Sequence, residues 1–246
     1  NTNYRLWECL MDVINAFFSV NTIAFTILGY SISWLELVGT IFNLVCVILA
    51  ARRNIWNWPI GLIGVMLFGV LFYQINLYAD VFEQVYYLIT GISGWYLWAR
   101  VGTNKNTDEK VLITTNSLRS NLYWVAGIAG ASLLTGWIVS NLHIWLPTLF
   151  PEPASLPLLD AASTMTAFAA QFLMMRRKLE SWYLWIIVDI VAVGLYWYKG
   201  VPFVALLYAA FLINAIYGWY TWRNNTAARA NVKESAPEKE PELCEA

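Results

Sequence analysis

Two stretches of this chain align with each other without a gap. At a constant offset of 124 positions, Arg52-Arg53 falls on Arg176-Arg177, Trp58 on Trp182 and Leu71 on Leu195. Gly94-Trp95-Tyr96-Leu97-Trp98 falls on Gly218-Trp219-Tyr220-Thr221-Trp222, Glu36 on Asp160 and Thr40 on Thr164. One match would be chance, but one register held over about 65 positions implies an internal duplication. The copies run over about 34–100 and 158–224. Around them lie an N-terminal segment (1–33), a connecting region (101–157) and a tail (225–246).

A soluble domain carries about 25% charged residues. This chain carries 13% and is 59% hydrophobic, with a mean hydropathy of +0.52. It therefore reads as an all-α integral membrane protein. A span needs about 20 mainly apolar residues. Stretches near 11–30, 34–51, 58–78, 81–99, 122–142, 158–175, 182–198 and 203–222 qualify. The first is weakened by Asp12, Asn15, Ser19, Asn21 and Thr22, so it either spans as an extra N-terminal helix or lies in the interface. The other seven read as three, one and three. The tail, rich in Glu, Lys, Pro and Ala, reads as disordered. No cleavable leader is expected, since the first residues offer only Arg5 and no small-residue cleavage site.

If all eight stretches span, Lys and Arg divide fourteen to one between the two sides, with Lys199 alone on the minority side. Positive charge collects on the cytoplasmic side, so both termini are expected there. If the first stretch does not span, only Arg5 changes sides. Each repeat has an odd number of helices, and the single connecting helix reverses the chain once more. The repeats then enter the membrane in the same sense, and such transporters bind substrate near mid-membrane at the repeat interface.

Polar residues within the spans are the candidate site. Glu36, Thr40 and Asn43 share one helical face, and Asp160, Thr164 and Gln171 form the matching stripe. These stripes line a polar cavity or serve as interhelical hydrogen-bond glue. Glu36 and Asp160, near a membrane end, also suit helix N-termini. Asp189 lies seven residues into its span, about 10 Å deep, and shares a face with Trp182 and Trp185. An intramembrane carboxylate is a functional candidate by default, and beside two indoles it suits a flat organic cation. The alternatives are a structural pair for Asp189 and an interfacial belt position for Trp182. Gln84, Glu83 and Thr90 in the first copy, and Tyr208, Asn214 and Tyr217 in the second, add polar groups. Trp95, Trp98, Trp219 and Trp222 read as an aromatic belt at the cytoplasmic boundary.

Other chemistries lack their residues. There is no GxxxxGK[ST] phosphate loop. His143 is the single histidine and reads as a surface residue. Cys9, Cys46 and Cys244 have no metal or disulfide spacing, and Cys46 reads as packing. Neither an enzyme nor a cofactor is expected, and the net charge of −1 offers nothing to nucleic acid.

Trp56-Asn57-Trp58-Pro59-Ile60-Gly61, Leu77-Tyr78-Ala79-Asp80 with Gln84 after it, and Gly94-Trp95-Tyr96-x-Trp98 resemble the PnuC transporters. Glu180-Ser181-Trp182-Tyr183-Leu184-Trp185 and Tyr217-Gly218-Trp219 agree in the second copy, where Tyr217 stands against Ser93 of the first. The resemblance implies a 3+1+3 fold related to the SWEETs. It also implies uptake of nicotinamide riboside across a bacterial inner membrane, by facilitated diffusion with alternating access. It further implies a homotrimer and a cytoplasmic kinase that traps the riboside by phosphorylation. Thiamine and riboflavin carriers share these motifs, and a receptor or scaffold without transport is a third possibility. The expected substrate set is Asn43, Gln84, Gln171, Trp182, Trp185, Asp189, Asn214 and Tyr217. The indoles would hold the ring, the amides would exchange hydrogen bonds with carboxamide and ribose, and Asp189 would balance the charge.

Overall fold

The computed structural model describes residues 11–235, apart from 13–14, 28, 76–77, 102–112, 149, 151 and 155. Seven long helices dominate: α1 (Trp34–Ala51), α2 (Asn57–Gln74), α3 (Tyr78–Val101), α4 (Leu118–Trp145), α5 (Pro157–Met175), α6 (Glu180–Tyr198) and α7 (Pro202–Ser235). All but α3 are long and apolar enough to cross a membrane. α3 carries Asp80, Glu83 and Arg100 and is less apolar. The protein is a mainly α-helical polytopic membrane protein, and its one departure from the all-α expectation is at the N-terminal side.

The stretch near 11–30 is not a spanning helix. Residues 15–17 are helical, and then strands β1 (Ile23–Ile27) and β2 (Tyr30–Ser33) form an antiparallel hairpin. The reason is local. Ile23, Thr26 and Ile27 are β-branched and favour strands, and Gly29 adopts a left-handed φ of 79° at the turn. Gln74, at the end of α2, bonds the amide of Val20 (3.0 Å) and the carbonyl of Phe18. Phe17 and Val20 pack against Leu35, Leu67 and Leu71. At the other terminus the helix continues through residues 225–235 of the tail expected to be disordered. Residues 236–246, like Arg5, lie outside the described residues.

Helix ends follow from sequence. Ser33 caps α1, its hydroxyl accepting from the Glu36 amide at 3.2 Å. Pro157 opens α5, where its missing N–H costs nothing. α1 and α5 end in the same way. Arg53 (φ 57°) and Arg177 (φ 61°) take the left-handed conformation just beyond the cap. The amides of Arg53 and Asn54 return to the carbonyls of Ala50 and Leu49, and those of Arg177 and Lys178 to Met174 and Leu173. This is the Schellman arrangement with arginine where glycine is usual.

Within each repeat the helices pack in order, α1 on α2 on α3 and α5 on α6 on α7. Between repeats, α1 packs on α7 and α3 on α5, while α4 packs on α5. The first helix of each repeat thus meets the third helix of the other. At the end bearing Arg52 and Arg176, four indoles fill the core between the repeats. Trp58 meets Trp98 edge-on at 5.3 Å, Trp182 meets Trp222 edge-on at 5.4 Å, and Trp98 and Trp222 lie 6.1 Å apart. The Trp98 indole N–H donates to Met175 O and that of Trp222 to Ala50 O, both at 3.2 Å. Trp98 and Trp222 are fully buried, so they are not belt residues. Hydrocarbon supplies no hydrophobic drive for helix pairing, and these N–H groups find their partners across the repeat interface. Trp95 is 43% exposed.

Candidate functional site

Polar groups from four helices gather at the opposite end, between the repeats. Asp80 and Glu83 stand in the first turns of α3 and Asp160 in the first turn of α5, close enough for their charges to act on one another. Thr164, one turn after Asp160, is a hydrogen-bond partner of Glu83. Tyr196 near the end of α6 lies within the field of all three acids. Tyr208 of α7 stacks on Tyr196 at 5.4 Å and 10° between planes. Tyr208 also lies within reach of the charges of Asp189 and Glu83, and Tyr87 of α3 within reach of Glu83 and Tyr208. Tyr86 stacks on Phe168 at 4.2 Å and donates to its carbonyl at 2.8 Å, fastening α3 to α5 beside this set. The hairpin approaches the same end. Tyr30 stacks on Phe203 at 5.7 Å and donates to Glu36 at 2.7 Å. Burial and the Glu36 carboxylate push the Tyr30 phenol well above its ordinary pKa.

Asp189 lies mid-helix on the buried face of α6, with Ser181, Trp182, Val188 and Ala192. It is 5% exposed. Among the described residues its carboxylate makes no hydrogen bond or ion pair, and Tyr208 is the polar neighbour whose charge it affects. A buried, unpaired carboxylate costs several kcal/mol. A cationic ligand entering between the repeats would remove that cost.

The other expected site residues are dispersed. Trp182 is 2% exposed and offers no free face to a ligand. Its ring covers Gly218, where an added Cβ would come within 2.6 Å of it. Trp185 is half-buried against the same indole core. Asn214 donates to Val47 O at 3.0 Å, joining α7 to α1. Asn43 lies against Gly64, whose missing side chain makes room for its amide. Gln84 is half-buried where α3 crosses Gly69, and Gln171 is half-buried in α5. Tyr217 is 45% exposed and lines a cavity with Arg52 and Arg53 at the indole end, far along α7 from Tyr208. Glu36 serves the start of α1 and Asp160 belongs to the acid set, so the two aligned acids have different surroundings. His143 is half-buried, with no partner for Nδ1 among the described residues, rather than a surface residue. Among the described residues no group of three or more His, Cys, Asp or Glu has the arrangement of a metal site.

The sequence offers Glu83, Asp160, Thr164 and Tyr208 singly but not the set they form with Asp80, Tyr87 and Tyr196, because its members are not at equivalent repeat positions. Asp80, Glu83 and Tyr87 come from a third helix, and Asp160 and Thr164 from a first helix. The useful signal is the placement of every acid in α3 and α5 within their first two turns.

Residues 33–224 match the family model described as nicotinamide mononucleotide transporter. The chain is 32% identical to the nicotinamide riboside transporter PnuC of Escherichia coli K12 over 220 residues, 82% of this chain and 90% of that one. It is 30% identical to the riboflavin/roseoflavin transporter RibM of Streptomyces davaonensis over 221 residues, 89% of this chain and 98% of that one. A crystal structure of the vitamin B3 transporter PnuC superposes with a TM-score of 0.59 at 27% identity, covering 79% of this chain and 83% of that one.

Proposed function

The chain belongs to the PnuC family of membrane transporters, and from that premise we propose that it carries nicotinamide riboside across a bacterial inner membrane. Asp189 carries the reading. The nicotinamide ring of the riboside is a flat cation, and an unpaired buried carboxylate beside a tyrosine pair favours such a ring over a neutral one. The acids at the starts of α3 and α5 attract the same charge as it enters. The amides expected to bind substrate, Asn43, Gln84 and Gln171, are half-buried on helices of both repeats and would meet it as the repeats move. We read α3 as the seventh span, giving a 3+1+3 order. The arginine-rich end is taken as cytoplasmic, so that α7 ends in the cytoplasm.

Transport would be facilitated diffusion. The two repeats rock about their shared interface, and the site opens to each side in turn. The family reading extends to a homotrimer and to a cytoplasmic kinase. A phosphorylated riboside would not return past a site lined with carboxylates, since like charges repel.

A second reading has its own observation, the match to a riboflavin transporter over 89% of this chain. Riboflavin is neutral, which separates the two. Proteoliposomes preloaded with either vitamin are tested for counterflow of its labelled form. The riboside reading expects riboside exchange, and an affinity for riboside weakened about tenfold or more in Asp189→Asn. A ring-reduced neutral analogue should lose less. Exchange of riboflavin alone would reject the reading, and equal binding of both ring forms by a folded Asp189→Asn protein would remove Asp189 from it.

A further inference from the structure

The N-terminal hairpin is fastened to one repeat and touches the other. β2 runs without a break into α1, with Ser33 as the cap of that helix. The Trp34 amide donates to Thr22 O at 3.1 Å and closes the base of the hairpin. Ile32 and Ser33 are buried, and Gln74 holds the backbone of Phe18 and Val20 at the end of α2. Hairpin, α1 and α2 are therefore one packed unit. Its contact with the second repeat is through a ring. Tyr30 stacks on Phe203 at 5.7 Å with 16° between planes, and Phe203 stands in the first turn of α7. The Tyr30 hydroxyl donates to Glu36 in the first turn of α1 at 2.7 Å, which fixes the direction of the ring. Tyr30 also lies within reach of the charge of Tyr196, so the stacked pair stands beside the acid and tyrosine set. The duplication makes this contact one-sided. At the constant offset Phe203 falls on Ala79, which has no ring, and Glu36 on Asp160, which belongs to the acid set. At the helix starts, the α1–α7 interface thus carries a ring pair where the α3–α5 interface carries carboxylates.

We propose that the hairpin latches the acid end, with Tyr30 on Phe203 holding the two repeats together there until the site opens on that side. α1 and α7 both start at this end and pack on each other. Rocking of the repeats that opens the acid end draws these two starts apart, and the Tyr30–Phe203 stack has to part with them. A stacked pair is weak enough to release in each cycle, unlike the four buried indoles at the opposite end. Tyr30 is a positioning residue. It touches Phe203 and Glu36, and it acts on the path of the substrate through them. The family model begins at residue 33, so Tyr30 precedes the part of the chain that it matches. The proposal rests on the rocking of the two repeats described above, and the identity of the substrate does not enter it.

Thr164→Cys is the reporter in every variant, because Thr164 meets Glu83 across the repeat interface at the acid end. The full chain is placed in phosphatidylcholine nanodiscs, which expose both ends. Without substrate, the rate at which a hydrophilic maleimide modifies position 164 is followed by mass spectrometry, and the thermal midpoint is measured alongside. Tyr30→Ala and Phe203→Ala should each raise the rate about fivefold or more. The double variant should rise no further than the larger single one, as partners in one contact do. Tyr30→Phe keeps the ring and should rise about twofold at most. Thr26→Ala removes the cross-strand bond to Ser31 (3.1 Å) and leaves the stack alone, so it should label as the parent does. Unchanged rates in both Tyr30→Ala and Phe203→Ala would overturn the proposal. So would additive increases in the double variant, or an increase in Tyr30→Phe or Thr26→Ala equal to that in Tyr30→Ala. Increases that simply follow a falling midpoint across the set would overturn it too. These measurements use no riboside, so their failure is distinct from a failure of the counterflow test.

Discussion

At the scale of the residue, side chains of one chemical type have separate tasks here. Asn214 is the clearest case. Its amide joins α7 to α1 through Val47 O. Interhelical hydrogen bonds within a membrane contribute about 0.6 kcal/mol on average. Asn214→Ala should therefore lower the thermal midpoint slightly and leave the substrate KM in counterflow unchanged. A KM raised tenfold at an unchanged midpoint would return Asn214 to the substrate site. Asp189 behaves oppositely, having a buried carboxyl group and no hydrogen-bond or ion-pair partner among the described residues. Its candidacy is legible in the sequence, because an acid seven residues into an apolar helix is too costly to be placed there for packing alone. The burial of Trp182 is not. Sequence places an indole at a helix end, where a belt and a core look the same, and only Gly218 opposite shows which one forms.

At the scale of the element, hydropathy and repeat register are enough to place the seven long helices. They are not enough for the hairpin, because the apolar content of residues 11–30 does not distinguish a strand pair from a marginal helix. The repeat also hides something. Comparison at constant offset pairs like with like, whereas the acid and tyrosine set joins unlike positions across the interface. Packing between elements has its own test in two glycines. A Cβ on Gly94 would come within 2.4 Å of the Trp58 ring, and one on Gly218 within 2.6 Å of Trp182. Neither buried ring has room to move. Gly94→Ala and Gly218→Ala should each cost about 1–3 kcal/mol, read as a lower thermal midpoint in detergent. Gly127→Ala, with open space around it, is the control. Equal midpoints for all three would show that the ring contacts do not set the helix spacing.

At the scale of the molecule, the two halves are fastened at the indole end by bonds of equal length, Trp98 to Met175 O and Trp222 to Ala50 O. Trp98→Phe and Trp222→Phe keep most of the packing and remove one N–H donor each. Each should lower the midpoint, by amounts that agree within about 0.5 kcal/mol, and both should raise the rate of counterflow if opening this end limits transport. A large effect from one and none from the other would mean that the resemblance between the halves is only geometric.

These indole bonds are reciprocal. In each, the indole of one three-helix unit donates to the backbone of the other, so each unit completes its partner. A contact in which the same patch serves both sides is isologous, the type formed by two identical subunits. Residues 34–100 alone would carry the donor Trp98 and, at Ala50 and Ala51, both the carbonyl that accepts from Trp222 and the one aligned with Met175 O. Two copies could then satisfy each other as the present halves do. The fold therefore has the outline of a homodimer whose two three-helix units are joined in one polypeptide. Being on one chain, the halves need not match, and the strand at residues 114–116 that pairs with the α5–α6 turn has no counterpart on the α1–α2 turn among the described residues, a difference that no symmetric pair could hold.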